Sequence, residues 1–353
     1  MGEARTGGEA ALSGVTAELD AALRHAAAQA PGSAAFAELL DSLHVHVGAG
    51  KLIRPRLVEL GWRLATADPV PPSGRAAVDR LGAAFELLHT ALLVHDDVID
   101  RDVLRRGQPA VHASARHRLE ARGVPAADAA HAGVAVALIA GDVLLTQAFR
   151  LAATCAADIA RAAEAAAVVF DAAAVTAAGE LEDVLLGLSR HTGEEPDPDR
   201  ILAMQRLKTA HYTVGAPLRA GALLAGADPD LARAMGEAGA DLGAAYQVID
   251  DVLGVFGDPG ETGKSADGDL REGKATVLTA HGRRIPAVRA LLDAGPATPR
   301  TSRPPAAPSR RPVPGSTPST SPPSSPSAPA SASRPCPWTR RSGRSSPTPA
   351  TPC

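Results

Sequence analysis

Apolar positions recur with a helical period along most of this chain. In residues 14–30, Val15, Leu19, Ala22 and Leu23 fall on one face, and Pro31-Gly32 stops the run. The pattern predicts a second helix over 33–47 and a third over 56–67, followed by a loop at 68–74. One long helix is expected from Arg75 to about Asp102, and another over 126–152. An Ala-rich helix with an acidic middle (Glu180, Glu182, Asp183) is expected over 157–190, and two later helices carry Lys208 and Asp250.

From about Pro296 the periodicity ends. Pro, Ser, Ala and Arg dominate, and no acidic residue follows Asp293. Such a composition cannot bury enough apolar surface to offset the entropy of ordering. The expected organisation is a flexible N-terminus over 1–13, a helical domain over 14–293 and a disordered tail over 294–353. The tail is either natural or the product of a reading-frame shift, and the abrupt change favours the second.

Composition narrows the class. The 353 residues are ample for a large core, and aromatic residues make up only 3%, which favours closely packed helices over a β-sandwich. A formal net charge of −3 supplies no basic field to recruit nucleic acid. Cys155, Cys336 and Cys353 have neither metal-ligand spacing nor the numbers of a disulfide framework, which suits a reducing cytoplasm. Charges and glycines occupy Met1 to Ala11 where a signal peptide needs an apolar core. No apolar run is expected to reach the roughly 18 residues of a membrane span. The expectation is a soluble cytoplasmic protein without stable membrane insertion.

The candidate chemistry begins at Leu92-Leu93-Val94-His95-Asp96-Asp97-Val98-Ile99-Asp100, an apolar run leading into D-D-x-x-D. On a helix, Asp96 and Asp100 stand one turn apart, about 5–6 Å between Cβ atoms, with Asp97 at the edge of that face. No basic residue sits among the three, so their repulsion calls for a cation. Mg²⁺ is the natural candidate, being a hard ion that bridges carboxylates to substrate phosphates. Asp250 and Asp251 end a second apolar run about 150 residues on, and helix bundles build metal sites from such facing carboxylates. Three basic stretches offer phosphate binding: Gly50-Lys51 with Arg54, Arg105-Arg106-Gly107, and Lys208-Thr209. His89 lies two turns before Asp96 on nearly the same face.

The pair of aspartate motifs resembles that of the trans-isoprenyl diphosphate synthases, the polyprenyl synthetase family, over roughly residues 15–290. The resemblance implies an all-α, isoprenoid-synthase-type helical bundle around a central cavity. It also implies an enzyme that condenses isopentenyl diphosphate with an allylic diphosphate, using more than one Mg²⁺ ion and usually working as a homodimer. Residues 49–55 match the family's G-G-K-R-x-R-P at Lys51 and Arg54, with Ala49 for the first Gly and Leu52 for the first Arg. By resemblance Lys51, Arg54, His89 and Arg106 hold isopentenyl diphosphate, while Arg105, Lys208 and Thr209 hold the allylic diphosphate. Metal falls to Asp96, Asp97, Asp100, Asp250 and Asp251, with Gln247 as a polar neighbour; Gly254 replaces a third aspartate of the second motif. Lys264 and Lys274 match lysines of a loop that closes over the diphosphates. Gly141 in Gly141-Asp142-Val143-Leu144-Leu145 is expected to serve close helix packing, and His95 is structural.

Two rivals stand beside this reading. One is a class I terpene cyclase, although its mixed Asn, Ser and Glu metal motif is absent; the other is a non-catalytic subunit that modulates an active homologue. Product length depends on the residues before Asp96. Leu92, Ala91 and Leu88 are too small to close an apolar tunnel early, and Phe85, about 16.5 Å back along the helix, is the first aromatic floor. That reach fits a C20 product, geranylgeranyl diphosphate.

Overall fold

The computed structural model describes residues 3–192, 197–257 and 275–294. Helix α1 spans Glu3–Gln29, α2 Ala34–Leu43, α3 Ile53–Thr66 and α4 Pro72–Ile99. A two-stranded hairpin follows, β1 (Leu104–Arg105) against β2 (Gln108–Pro109), then α5 (Val111–Ala121), α6 (Ala126–Ala153) and α7 (Ile159–Thr192). Helix α8 (Pro198–Gln205) runs through a π-helix (Arg206–Gly215) into α9 (Ala216–Leu224) without a break. Helices α10 (Pro229–Phe256), α11 (Val277–Arg283) and α12 (Pro286–Ala294) complete the described chain. The all-α expectation holds.

Local chemistry sets the starts. The Ser33 hydroxyl accepts from the Phe36 N–H to cap α2, and the Asp228 carboxylate accepts from Asp230 and Leu231 to cap α10. Each satisfies N–H groups that a helix start leaves without partners. Pro72 and Pro229 occupy first-turn positions, where proline's missing N–H costs nothing. Helix α1 begins at Glu3 rather than at Gly14, so the segment expected to be flexible includes helix. The tail expected over 294–353 lies beyond the described residues, apart from Ala294 at the end of α12.

Helix α4 is the core. Every residue from 81 to 90 is buried, and so is Ala91, because α1, α3, α6, α7 and α9 pack round it. Leu81, Phe85, Leu87 and Leu88 are fully covered, each contributing roughly 1.5–3 kcal/mol of burial. Alanine and glycine on the neighbours let these helices come close. A Cβ on Gly141 would lie 2.1 Å from His95 Nε2, so the bare glycine makes room for the His95 ring between α4 and α6.

The membrane-span expectation needs correction. Residues 126–153 and 159–188 are long and apolar enough to cross a bilayer, with mean hydropathy 1.8 and 1.4. Dispersed alanines lift the average without forming an obvious greasy run. Both helices pack into the bundle, α6 against α4 and α5, and α7 against the π-helix and α9.

Candidate active site

The last turn of α4 delivers Asp96, Asp97 and Asp100 to one end of the bundle. Asp100 caps the helix, its N–H donating to Asp96 O at 2.8 Å. The negative end of the helix dipole therefore lies among the carboxylates and sharpens their demand for cations.

The hairpin answers part of that demand. Arg106 (φ 52°) and Gly107 (φ 75°) form its two-residue turn, both with positive φ, as the tight turns of antiparallel ribbons require. Arg105, on β1 just before the turn, reaches back over the end of α4. Its Nε donates to Asp97 Oδ1 at 2.6 Å, and its Nη2 donates to Asp96 Oδ2 and Asp102 Oδ2 at 3.3 Å each. Arg106 instead lines a separate cavity. Two sequence neighbours are thereby dealt to two sites.

Lys208 supplies the second cation. Nζ stands 2.6 Å from Asp183 Oδ2, 3.0 Å from Glu180 Oε2 and 3.1 Å from Asp96 Oδ1. The close approach depends on Gly179, where a Cβ would lie 2.2 Å from the Lys208 backbone nitrogen. Burial, the largest influence on the ammonium, favours its neutral form; Asp96, Asp183 and Glu180 together outweigh it and raise the pKa. Burial raises Glu180 above the usual carboxylate range, opposed by Lys208 and reinforced by Asp96 and Asp183. It also pushes Asp97 up to about 6 against the pull of Arg105. Repulsion within the motif is thus met by Arg105, just past it in the sequence, and by Lys208, far from it.

Carboxylate oxygens of Asp96, Asp100 and Glu180 lie within 4.8 Å of one another. Buried Asp96 Oδ1 sits near Lys208 without the alignment of a hydrogen bond, and no described residue donates to it. A hard, all-oxygen donor set with one orphaned oxygen fits a Mg²⁺ ion. Glu180 is the member that sequence reasoning missed. It stood in view as part of the acidic middle of α7, yet nothing in one sequence pairs that middle with Asp96.

The other expected ligands sit differently. Asp97 is buried under Arg105 and is not part of the three-carboxylate group. Asp251 is buried, accepting from Gln205 Nε2 at 2.5 Å and Gln247 Nε2 at 2.9 Å, so Gln247 is a partner of Asp251. Asp250 is half-buried on α10 and Thr209 half-buried on the π-helix. Lys264 and Lys274 lie outside the described residues.

An open cavity of about 480 Å³ is lined by Gly50, Lys51, Arg54, Glu86, His89 and Arg106, among others. The structure therefore gathers the four residues assigned to isopentenyl diphosphate. A Cβ on Gly50 would lie 3.2 Å from the Arg106 guanidinium nitrogens, so the bare backbone leaves that group its room. Leu52, in place of an arginine, is buried in a left-handed conformation (φ 48°) at the start of α3. Burial, then Arg54, Arg106 and Arg105, hold His89 well below its usual pKa, so it is neutral. Glu86, one turn before His89, is buried with Oε2 free of described hydrogen-bond partners; burial raises its pKa against Arg54 and Arg106. A lone Glu inside an apolar run was the signal for it.

Comparisons with known proteins bear on the family and the fold. The sequence profile described as polyprenyl synthetase matches residues 37–294. A geranylfarnesyl diphosphate synthase of Aeropyrum pernix is 34% identical over 260 residues, 71% of this chain and 72% of that protein. A geranylgeranyl diphosphate synthase of Sulfolobus acidocaldarius is 31% identical over 241 residues, 67% of this chain; the match spans 64% of that relative. Among solved structures, the geranylgeranyl pyrophosphate synthase of Corynebacterium glutamicum, complexed with isoprenyl diphosphate and magnesium, superposes with a TM-score of 0.68. It is 32% identical, and the match covers 82% of each chain.

Proposed function

Because the chain belongs to the polyprenyl synthetase family, we propose that it joins isopentenyl diphosphate to an allylic diphosphate and releases geranylgeranyl diphosphate. The carrying observation is the pairing of two anion-handling sites at one end of the bundle. The Asp96–Asp100–Glu180 group beside Lys208 would bind the allylic diphosphate through metal, and the Lys51–Arg54–His89–Arg106 cavity would bind the second substrate.

Mg²⁺ held by Asp96, Asp100 and Glu180 would supply Lewis-acid charge to the departing diphosphate. Lys208 and Arg105 add fixed positive charge on the same side, where it stabilises the leaving group as its C–O bond breaks. Lys51, Arg54, His89 and Arg106 anchor isopentenyl diphosphate so that its double bond faces the allylic carbon. A C–C bond forms there, and the proton lost on forming the new double bond goes to the released diphosphate. Lys264 and Lys274 belong to this reading as further cations for the diphosphates. So do a cytoplasmic setting and a homodimer, the latter supported by Leu138, Ile139, Leu181 and Leu185, apolar residues left exposed on α6 and α7.

Purified protein, Mg²⁺, isopentenyl diphosphate and each allylic primer in turn provide the test. A C20 diphosphate is expected. Hydrocarbon products, or no elongated product with any primer, would overturn the proposal.

A further inference from the structure

The π-helix carries more than Lys208. Four residues on, the Tyr212 ring lies under Arg54, whose Cζ stands 4.8 Å from the ring centroid. Thr213 Oγ1 accepts from Arg54 Nη2 at 3.0 Å. The Tyr212 hydroxyl meets His89 Nδ1 at 3.2 Å. Arg54, His89 and Tyr212 are all buried, so these contacts form away from water, where a cation over a ring and a polar hydrogen bond both gain strength.

We infer that Tyr212 and Thr213 are positioning residues for the isopentenyl diphosphate pocket, fixing the guanidinium of Arg54 and the tautomer of His89. The inference rests on the proposed function and adds residues that touch neither metal nor reacting carbon. Arg54 has five N–H donors in a rigid fork; Thr213 takes one and the Tyr212 face fixes the plane, leaving the rest for a phosphate oxygen. In neutral His89 one ring nitrogen is a donor and the other an acceptor. His89 Nδ1 is the Tyr212 hydroxyl's one hydrogen-bond partner among the described residues, and in the inferred arrangement that hydroxyl donates. Nε2 then carries the hydrogen, and His89 enters the cavity as a donor suited to an anion.

The wide turn explains how one segment serves two sites. Bonds in a π-helix run five residues back, as from Ala216 N–H to His211 O, and such turns recur at functional sites. The segment holds Lys208 against the carboxylates and, within the next five residues, holds Tyr212 and Thr213 against the cavity.

Tyr212→Phe keeps the ring under Arg54 and deletes the hydroxyl. The KM for isopentenyl diphosphate should rise about 5- to 10-fold, the cost of one neutral hydrogen bond, while the allylic KM and kcat stay near wild type. In a His89→Ala background Tyr212→Phe should add nothing further. Thr213→Val should raise the same KM, and Thr213→Ser should restore it. Equal rises in both KM values, no rise, or an additive effect on His89→Ala would overturn the inference. Calorimetric titration with isopentenyl diphosphate reads the pocket without turnover. A wild type that binds it with a Tyr212-dependent affinity yet makes no product would overturn the proposed function and support this inference. A wild type that does not bind it would overturn both.

Discussion

Arg105 Nε donates to the buried carboxylate of Asp97 at 2.6 Å, from a strand that ends in a hairpin turn only two residues long. This contact keeps the middle aspartate of D-D-x-x-D apart from the Asp96–Asp100–Glu180 group and makes it an anchor for the arginine.

Asp97 therefore has a pH signature. Burial raises its carboxyl from the ordinary 3.8 to about 6, so between those values the folded chain holds a proton that the unfolded chain has released. Stability from this group is complete below about pH 4 and is lost as pH rises to about 6. In chelator-treated protein, the melting temperature of wild type relative to Asp97→Asn should fall across that window and level off above it. A difference that stays constant with pH would remove the assignment.

Asp96→Ala and Asp100→Ala should each lower kcat by at least about 100-fold, with helical content by circular dichroism unchanged. Glu180→Gln should behave as a weakened metal ligand, raising the Mg²⁺ concentration needed for half-maximal rate. Asp251→Ala should be milder than Asp250→Ala in turnover. Near-normal rates in the Asp96 and Asp100 variants would end the metal role given to them.

Gly179→Ala should displace the π-helix, because the added Cβ meets the backbone of Lys208 rather than a movable side-chain end. Overpacking of this kind costs about 1–3 kcal/mol, and the same shift pulls Lys208 from Asp96. Thermal melts and kcat should fall together.

Product length is open to one substitution. Ala91 is fully buried on α4, one turn above Leu88 and two above Phe85's level, so a phenyl ring there should intrude on a growing chain. Ala91→Phe should shift the product from the proposed C20 towards farnesyl diphosphate. Identical chain lengths from both proteins by chromatography would show that another position forms the floor.

What could be read in one sequence follows from distance along the chain. The apolar run of α4, the aspartates ending it and the Arg-Arg-Gly turn are local patterns, and all three stand where the periodicity and turn rules place them. Glu180 and Asp183 reach Lys208 only because α7 folds back on the segment after it, a pairing set by the fold. Periodicity also cannot separate a π-helix from an α-helix over ten residues, so the placement of Tyr212 and Thr213 was hidden. The expected lack of a span-length apolar run missed in the other direction, since alanines spread through α6 and α7 add up to membrane-like averages in helices that pack as bundle members.

The covering of α4 on every side from residue 81 to 91 bears on which amides can exchange with solvent deuterium. Amides sealed this way exchange through opening of the whole bundle rather than through local fraying. The aspartates at the end of α4 should thus be mounted on a slowly exchanging rod. Adjustment to substrates of growing length then falls to the elements around that rod, and exchange mapped along the chain should show α4 as its most protected stretch.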